Sequence, residues 1–122
     1  MPLDAPRRDA ARDARRLLRP LRADVLSLAQ ALVRVDSVSI PPNGRETAAQ
    51  KVLGRALRRG GIDVELYDTG FLARSRHPFV RRDRDYRGRH NLVARLPGTG
   101  RGRSLLLSGH VDTSRPARTR GA

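Results

Sequence analysis

The chain has no cysteine, no tryptophan, one methionine, and only four phenylalanine and tyrosine residues among its 122 residues. Without cysteine it has no disulfide bond, no thiolate metal ligand and no cysteine nucleophile. No apolar run approaches the roughly 18 residues that are needed to span a bilayer, and residues 1–22 lack the apolar core of a secretory signal. We therefore expect a cytoplasmic protein with no membrane segment.

Lysine is also nearly missing, since Lys51 is the single lysine among 26 basic residues and all the others are arginine. The formal net charge is +14. Contacts to phosphate groups use both basic residue types, so selection for nucleic-acid binding does not account for this skew. A GC-rich genome, whose codons favour arginine, alanine, glycine and proline, is the simpler explanation.

The positive charge nevertheless leaves one alternative open, a small arginine-rich nucleic-acid-binding protein. Residues 74–89 hold seven arginines and two aspartates. Phe79 and Tyr86 lie among them and would offer rings on which bases stack. No known nucleic-acid-binding motif accompanies the charge. We therefore treat nucleic acid as the less favoured partner, and a solvated arginine-rich loop as the ordinary explanation of this stretch.

Two amphipathic helices are predicted in the first half of the chain. Apolar residues recur at helical spacing over 21–35 and again over 48–57. Asn43 followed by Glu46 resembles a capping box at the start of the second helix. Gly60-Gly61 is expected to end that helix, because glycine accepts the left-handed conformation found at helix C-termini.

Three strands are predicted in the second half. Apolar and polar residues alternate over 62–67, which is typical of a half-buried strand, and a second strand is expected over 91–96. A long loop over 69–89, with at most one short turn of helix, separates the two. Residues 104–108 contain three consecutive leucines and predict a strand that is buried on both faces. This order of elements indicates a layered α/β fold.

The sequence His110-Val111-Asp112 follows that last strand after a single residue, Gly109. In open α/β sheets, functional sites collect at the carboxyl ends of strands. A neutral imidazole is a good zinc ligand, and a carboxylate that accepts its other N–H fixes the tautomer. His110 is therefore the candidate metal ligand and Asp112 the candidate catalytic residue. From these three residues alone, a strand-end histidine bonded to a turn aspartate is the simpler explanation.

The residues around this motif change that interpretation. Residues 105–113 (LLLSGHVDT) resemble the first metal-binding motif of the M20 family of metallopeptidases and amidohydrolases. Four upstream stretches resemble the same family in the same order: 32–42 (LVRVDSVSIPP), 44–46 (GRE), 61–64 (GIDV) and 91–98 (NLVARLPG). The resemblance covers roughly residues 21–113 and is nearest to the branch of acetylornithine deacetylase and succinyl-diaminopimelate desuccinylase.

The resemblance implies the N-terminal portion of a zinc-peptidase-like layered sheet flanked by helices, incomplete in this chain. It also implies a site in which two Zn²⁺ ions promote hydrolysis of an amide bond in a peptide or an N-acyl amino acid. His110 would be the first zinc ligand and Asp112 the carboxylate that orients it. The metals would lower the pKa of a bridging water and polarise the carbonyl, and a glutamate would be the general base.

The chain departs from the family after this motif. Asp112 is the only acidic residue after Ser104, and no histidine follows His110. The bridging aspartate, the general-base glutamate, the other ligands and the homodimerisation domain therefore have no counterpart. The remaining histidines, His77 and His90, match no ligand position. We expect a truncated chain that binds zinc weakly and is inactive by itself.

The resemblance also suggests how the chain is divided. Residues 1–20 form an arginine-rich tail that fits either a frayed helix or a disordered segment. Residues 21–113 correspond to the N-terminal part of an M20-like catalytic domain. Residues 114–122 form a divergent tail whose composition matches GC-rich DNA read out of frame. We expect the DNA that follows to encode the missing ligands in another reading frame.

Overall fold

The computed structural model describes residues 5–115, with side chains from residue 10 onward. The chain divides into two compact units, 1–31 and 32–122. The described residues form three α-helices, a short 3₁₀-helix and two small antiparallel sheets, which is consistent with the predicted α/β class. The predicted domain limits at 20 and 113 stay predictions, and most of the predicted divergent tail lies outside the described residues.

The first unit is helical. It contains α1 (Ala5–Leu18) and most of α2 (Arg22–Val33). Helix α2 confirms the helix predicted over 21–35, although it ends two residues earlier. None of its residues is buried, and the side chain of Val25 is 62% exposed. Within the described part of the chain, no helix combines the length and the apolar character that crossing a bilayer requires.

The second unit is built on one antiparallel strand pair. Strands β3 (Asp63–Asp68) and β4 (His90–Arg95) pair along their whole length. They confirm the strands predicted over 62–67 and 91–96 to within one residue. Apolar side chains alternate with polar ones along β3, so one face of the pair is apolar and packs against a helix.

That helix is α3 (Glu46–Arg59), and it lies close to the sheet because of Gly54. A Cβ atom at this position would lie 3.3 Å from Leu92 Cδ1 and 3.5 Å from Val64 Cγ1. Ala49, also on α3, is only 1% exposed and Val64 only 8%. The small side chains therefore let the helix backbone approach the sheet, and this contact forms the core of the second unit.

The C-terminus of α3 agrees with the prediction, and its N-terminus does not. Its C-terminus confirms the predicted stop, since Gly60 is the C-cap and Gly61 has a positive φ of 76°. The predicted capping box is wrong, because the N-cap is Arg45 and makes no side-chain capping bond. Asn43 instead belongs to β2 (Asn43–Gly44), which pairs with β1 (Ser39–Ile40) across a two-residue connection.

The connection from β3 to β4 is the predicted long loop. It contains one short 3₁₀-helix, Gly70–Arg74, and no other regular element. Thr69 closes the loop, because its amide donates to the Arg89 carbonyl at 2.7 Å. The buried Thr69 hydroxyl also lies 3.2 Å from the carbonyl oxygen of Tyr86. The loop therefore begins and ends at hydrogen bonds that join its two arms.

The strand predicted over 104–108 is not formed. These residues have no regular structure, and Leu105, Leu106 and Leu107 are 82%, 88% and 83% exposed. A strand needs a neighbour that takes its N–H and C=O groups. In the second unit β3 and β4 pair with each other, and no described residue pairs with 104–108. The run has the side chains of a buried strand, but the described residues offer it no partner strand.

Candidate functional site

The structure brings the two predicted site residues together. His110 Nδ1 lies 3.2 Å from Asp112 Oδ1 and 3.1 Å from the Asp112 carbonyl oxygen. If the proton is on Nδ1, it is donated to Asp112, and the lone pair of Nε2 is left for a ligand. The His110 side chain is 83% exposed and that of Asp112 is 42% exposed. The pair therefore has the composition of a metal ligand with its orienting carboxylate, and it is open to solvent.

The segment that follows this pair is held by backbone hydrogen bonds. The Thr113 amide donates to the Ser37 carbonyl at 3.0 Å, and the Ser39 amide donates to the Thr113 carbonyl at 3.0 Å. These bonds form a parallel bridge between Val38 and Thr113. The hydroxyls of Thr113 and the buried Ser37 are 3.3 Å apart. Asp112 is therefore adjacent to a fixed residue, whereas the leucines before His110 are exposed.

By itself the pair could offer a metal ion only one ligand position. Among residues 5–115, no group of three or more His, Asp or Glu side chains is arranged to hold a metal ion. Catalytic zinc sites use about three protein ligands per ion. His110 and Asp112 fit the chemistry of one ligand with its orienting partner, but the described residues do not complete the coordination of an ion.

The other two histidines have local partners. His77 Nδ1 accepts a hydrogen bond from the Phe79 amide at 3.3 Å. His90 Nδ1 lies 3.3 Å from the Thr47 hydroxyl and 3.1 Å from the Gly88 carbonyl. Neither ring lies in a cluster of potential metal ligands within the described residues. Both arrangements fit ordinary structural roles.

A buried ion pair near β1 was missed by the sequence analysis. Arg89 Nε donates to Glu46 Oε1, and the two side chains are only 17% and 10% exposed. The second carboxylate oxygen, Glu46 Oε2, is buried without a hydrogen-bond partner among the described residues. Burial makes this pair costly to break, because a lone charge would then remain in the interior. The partners are 43 residues apart, so no local spacing indicated the contact.

Two ion pairs reduce the free positive charge of the arginine-rich loop. Arg81 pairs with Asp83, and Arg87 pairs with Asp85 at 2.9 Å. The Arg87 side-chain hydrogen bond lowers the pKa of the Asp85 carboxyl to about 2, and the Arg87 amide adds to this effect. The charge of this loop is thus less available to a polyanion than the count of arginines indicates.

Comparisons with family models, with curated proteins and with solved structures find no match to this chain.

Proposed function

We propose that this chain is the N-terminal part of an M20-like metal-dependent hydrolase that cleaves amide bonds in peptides or N-acyl amino acids. His110 would be a zinc ligand, and Asp112 would orient it. The observation that supports the proposal is the 3.2 Å contact between His110 Nδ1 and Asp112 Oδ1, within a stretch that resembles the family's first metal-binding motif. A cytoplasmic location and a layered zinc-peptidase fold are parts of the same proposal.

In this proposal the role of the chain is to present one oriented imidazole. Asp112 accepts a hydrogen bond from the Nδ1–H group of His110, which keeps Nε2 unprotonated and makes it a better ligand. Zinc bound there would lower the pKa of a coordinated water and polarise the carbonyl of the substrate. Among the described residues, His110 belongs to no group of three or more potential metal ligands. The isolated chain is therefore expected to hydrolyse nothing.

The test is a nitrogen NMR measurement of the three imidazoles during a zinc titration. We expect His110 to be in the Nδ1–H tautomer, and the signal of its Nε2 to shift or broaden before those of His77 and His90. Asp112→Ala removes the carboxylate and keeps the carbonyl acceptor of residue 112, so it should weaken the tautomer preference and the zinc response of His110. His77 and His90 are internal controls, since both lie in the same second unit and have other partners.

The outcome against the proposal is also clear. Zinc that affects all three histidines equally, or a His110 whose tautomer populations and zinc response are both unchanged in Asp112→Ala, would show that the pair is an ordinary surface contact.

A second candidate, nucleic-acid binding by the loop over 69–89, is favoured by two exposed rings. Phe71 is 65% exposed and Phe79 is 89% exposed. Both lie close in sequence to arginines that could bind the phosphate groups of a nucleic acid. The ion pairs at Arg81 and Arg87 argue against it. Retention on non-specific DNA should fall steeply with salt if this candidate holds. Phe79→Ala should weaken retention relative to the wild-type chain.

A further inference from the structure

The second unit contains an open pocket of about 530 Å³ beside the bridge between Val38 and Thr113. Its lining is mixed, and the apolar part consists of Val38, Ile40 and Pro41. This volume lies within the range of small-molecule sites, roughly 300–1,000 Å³. The pocket is separate from the buried Glu46–Arg89 pair and from the loop over 69–89.

The polar groups of the pocket carry a net positive charge. Its lining includes two guanidinium groups, those of Arg45 and Arg115, and a single carboxylate, that of Asp36. Asn43 adds an uncharged amide. The hydrogen bond from Arg45 lowers the pKa of the Asp36 carboxyl, so this group is ionised at neutral pH. One positive charge therefore remains for a ligand.

The ion pair leaves Arg45 able to bind a second anion. Its Nη1 donates to Asp36, but a guanidinium has five N–H donors in a planar fork. Arg45 is also the N-cap of α3 and makes no side-chain capping bond, so the positive end of that helix adds to the potential at the pocket. The apolar side chains of the lining favour a ligand whose anionic group is attached to a hydrocarbon chain.

We propose that this pocket binds a small organic carboxylate with an apolar chain, with its carboxylate on Arg45 and Arg115 and its chain over Val38 and Ile40. An N-acyl amino acid has this chemistry. The identification of an N-acyl amino acid as the natural ligand rests on the proposed function, whereas the binding of an organic carboxylate in this pocket does not. Arg115 is five residues after His110, so the extended chain places their Cα atoms at most about 18 Å apart.

The experiment follows backbone amide NMR signals while N-acetyl-leucine is added in the presence of EDTA. We expect saturable shifts concentrated at residues 36–45. The matched neutral ligand, N-acetyl-leucine amide, should bind at least about tenfold more weakly. Because metal is excluded, a failure of zinc binding or hydrolysis does not affect this result.

Two variants separate a site from general attraction to a basic protein. Arg115→Gln should weaken binding at least about fivefold, while Arg74→Gln removes the same charge from the exposed 3₁₀-helix and should leave binding unchanged. The spread of amide signals reports whether each variant remains folded. Equal binding of acid and amide, or equal weakening by both substitutions, would overturn the proposal.

Discussion

The exposed leucines at 105–107 allow a direct test of where the core of this protein ends. Burying a leucine side chain contributes about 1.5–3 kcal/mol. Less than a fifth of each of these side chains is covered, since Leu105, Leu106 and Leu107 are 82–88% exposed. Each is therefore expected to add at most about 0.3–0.6 kcal/mol to the stability of one chain. Val64, which is 8% exposed, should contribute most of its full value of about 1.5–3 kcal/mol.

The same leucines are expected to drive association between chains. Three leucines buried in a contact would supply roughly 5–9 kcal/mol before the costs of association are subtracted. This is comparable with the net stability of a small domain, about 5–15 kcal/mol. We therefore expect the isolated wild-type chain to be partly unfolded or aggregated, despite its net charge of +14.

The assay compares L105S/L106S/L107S with Val64→Ser, using sedimentation over a range of concentrations and thermal unfolding. The triple variant should be more monomeric and should show a thermal transition at least as sharp as that of wild type, whereas Val64→Ser should unfold at a much lower temperature or show no transition. A wild-type chain that is monomeric with a cooperative transition would refute the reasoning. So would a triple variant as unstable as Val64→Ser, since the leucines would then pack within the chain.

Two further predictions concern ion pairs. Glu46→Gln should lower the free energy of unfolding by about 2–3 kcal/mol, because it leaves Arg89 charged in a largely buried site, whereas the exposed control Asp36→Asn should lower it by less than about 1 kcal/mol; equal losses in urea denaturation would contradict the burial argument. Asp85 should titrate near pH 2 by NMR instead of near its ordinary 3.8, because of Arg87. Its folded pKa is lowered, so its contribution to stability is present above pH 3.8 and is lost as the pH falls toward 2. Arg87→Gln should return the titration toward 3.8, and an unchanged midpoint would show that Arg87 is not the cause.

Elements that depend on local patterns were predicted correctly from the sequence. Helix α3 and strands β3 and β4 follow from hydrophobic periodicity, and Gly61 from the glycine pair that ends α3. These features involve neighbouring residues, so a short stretch of sequence contains their cause. His110 and Asp112 lie two residues apart and are in contact, and their role at a metal site stays a prediction.

Features that depend on which residues pair with each other were not predicted, whether the partners are near or far in the sequence. Asn43 was expected to cap α3, but it pairs with Ile40 because the chain reverses within two residues. The partner of Glu46 is Arg89, and nothing near Glu46 in the sequence points to it. Residues 104–108 have the composition of a buried strand, yet strand formation depends on a neighbouring strand, which composition does not reveal.

Zinc calorimetry on the wild-type chain and on His110→Ala tests the central claim most directly, namely that His110 and Asp112 supply one ligand position of an amide hydrolase and no complete site. We predict weak, non-stoichiometric zinc binding that is reduced further in His110→Ala, because the described residues contain no group of three potential ligands. Two tight sites per chain that are lost in His110→Ala would contradict the account. Zinc uptake that does not change in His110→Ala would contradict it as well.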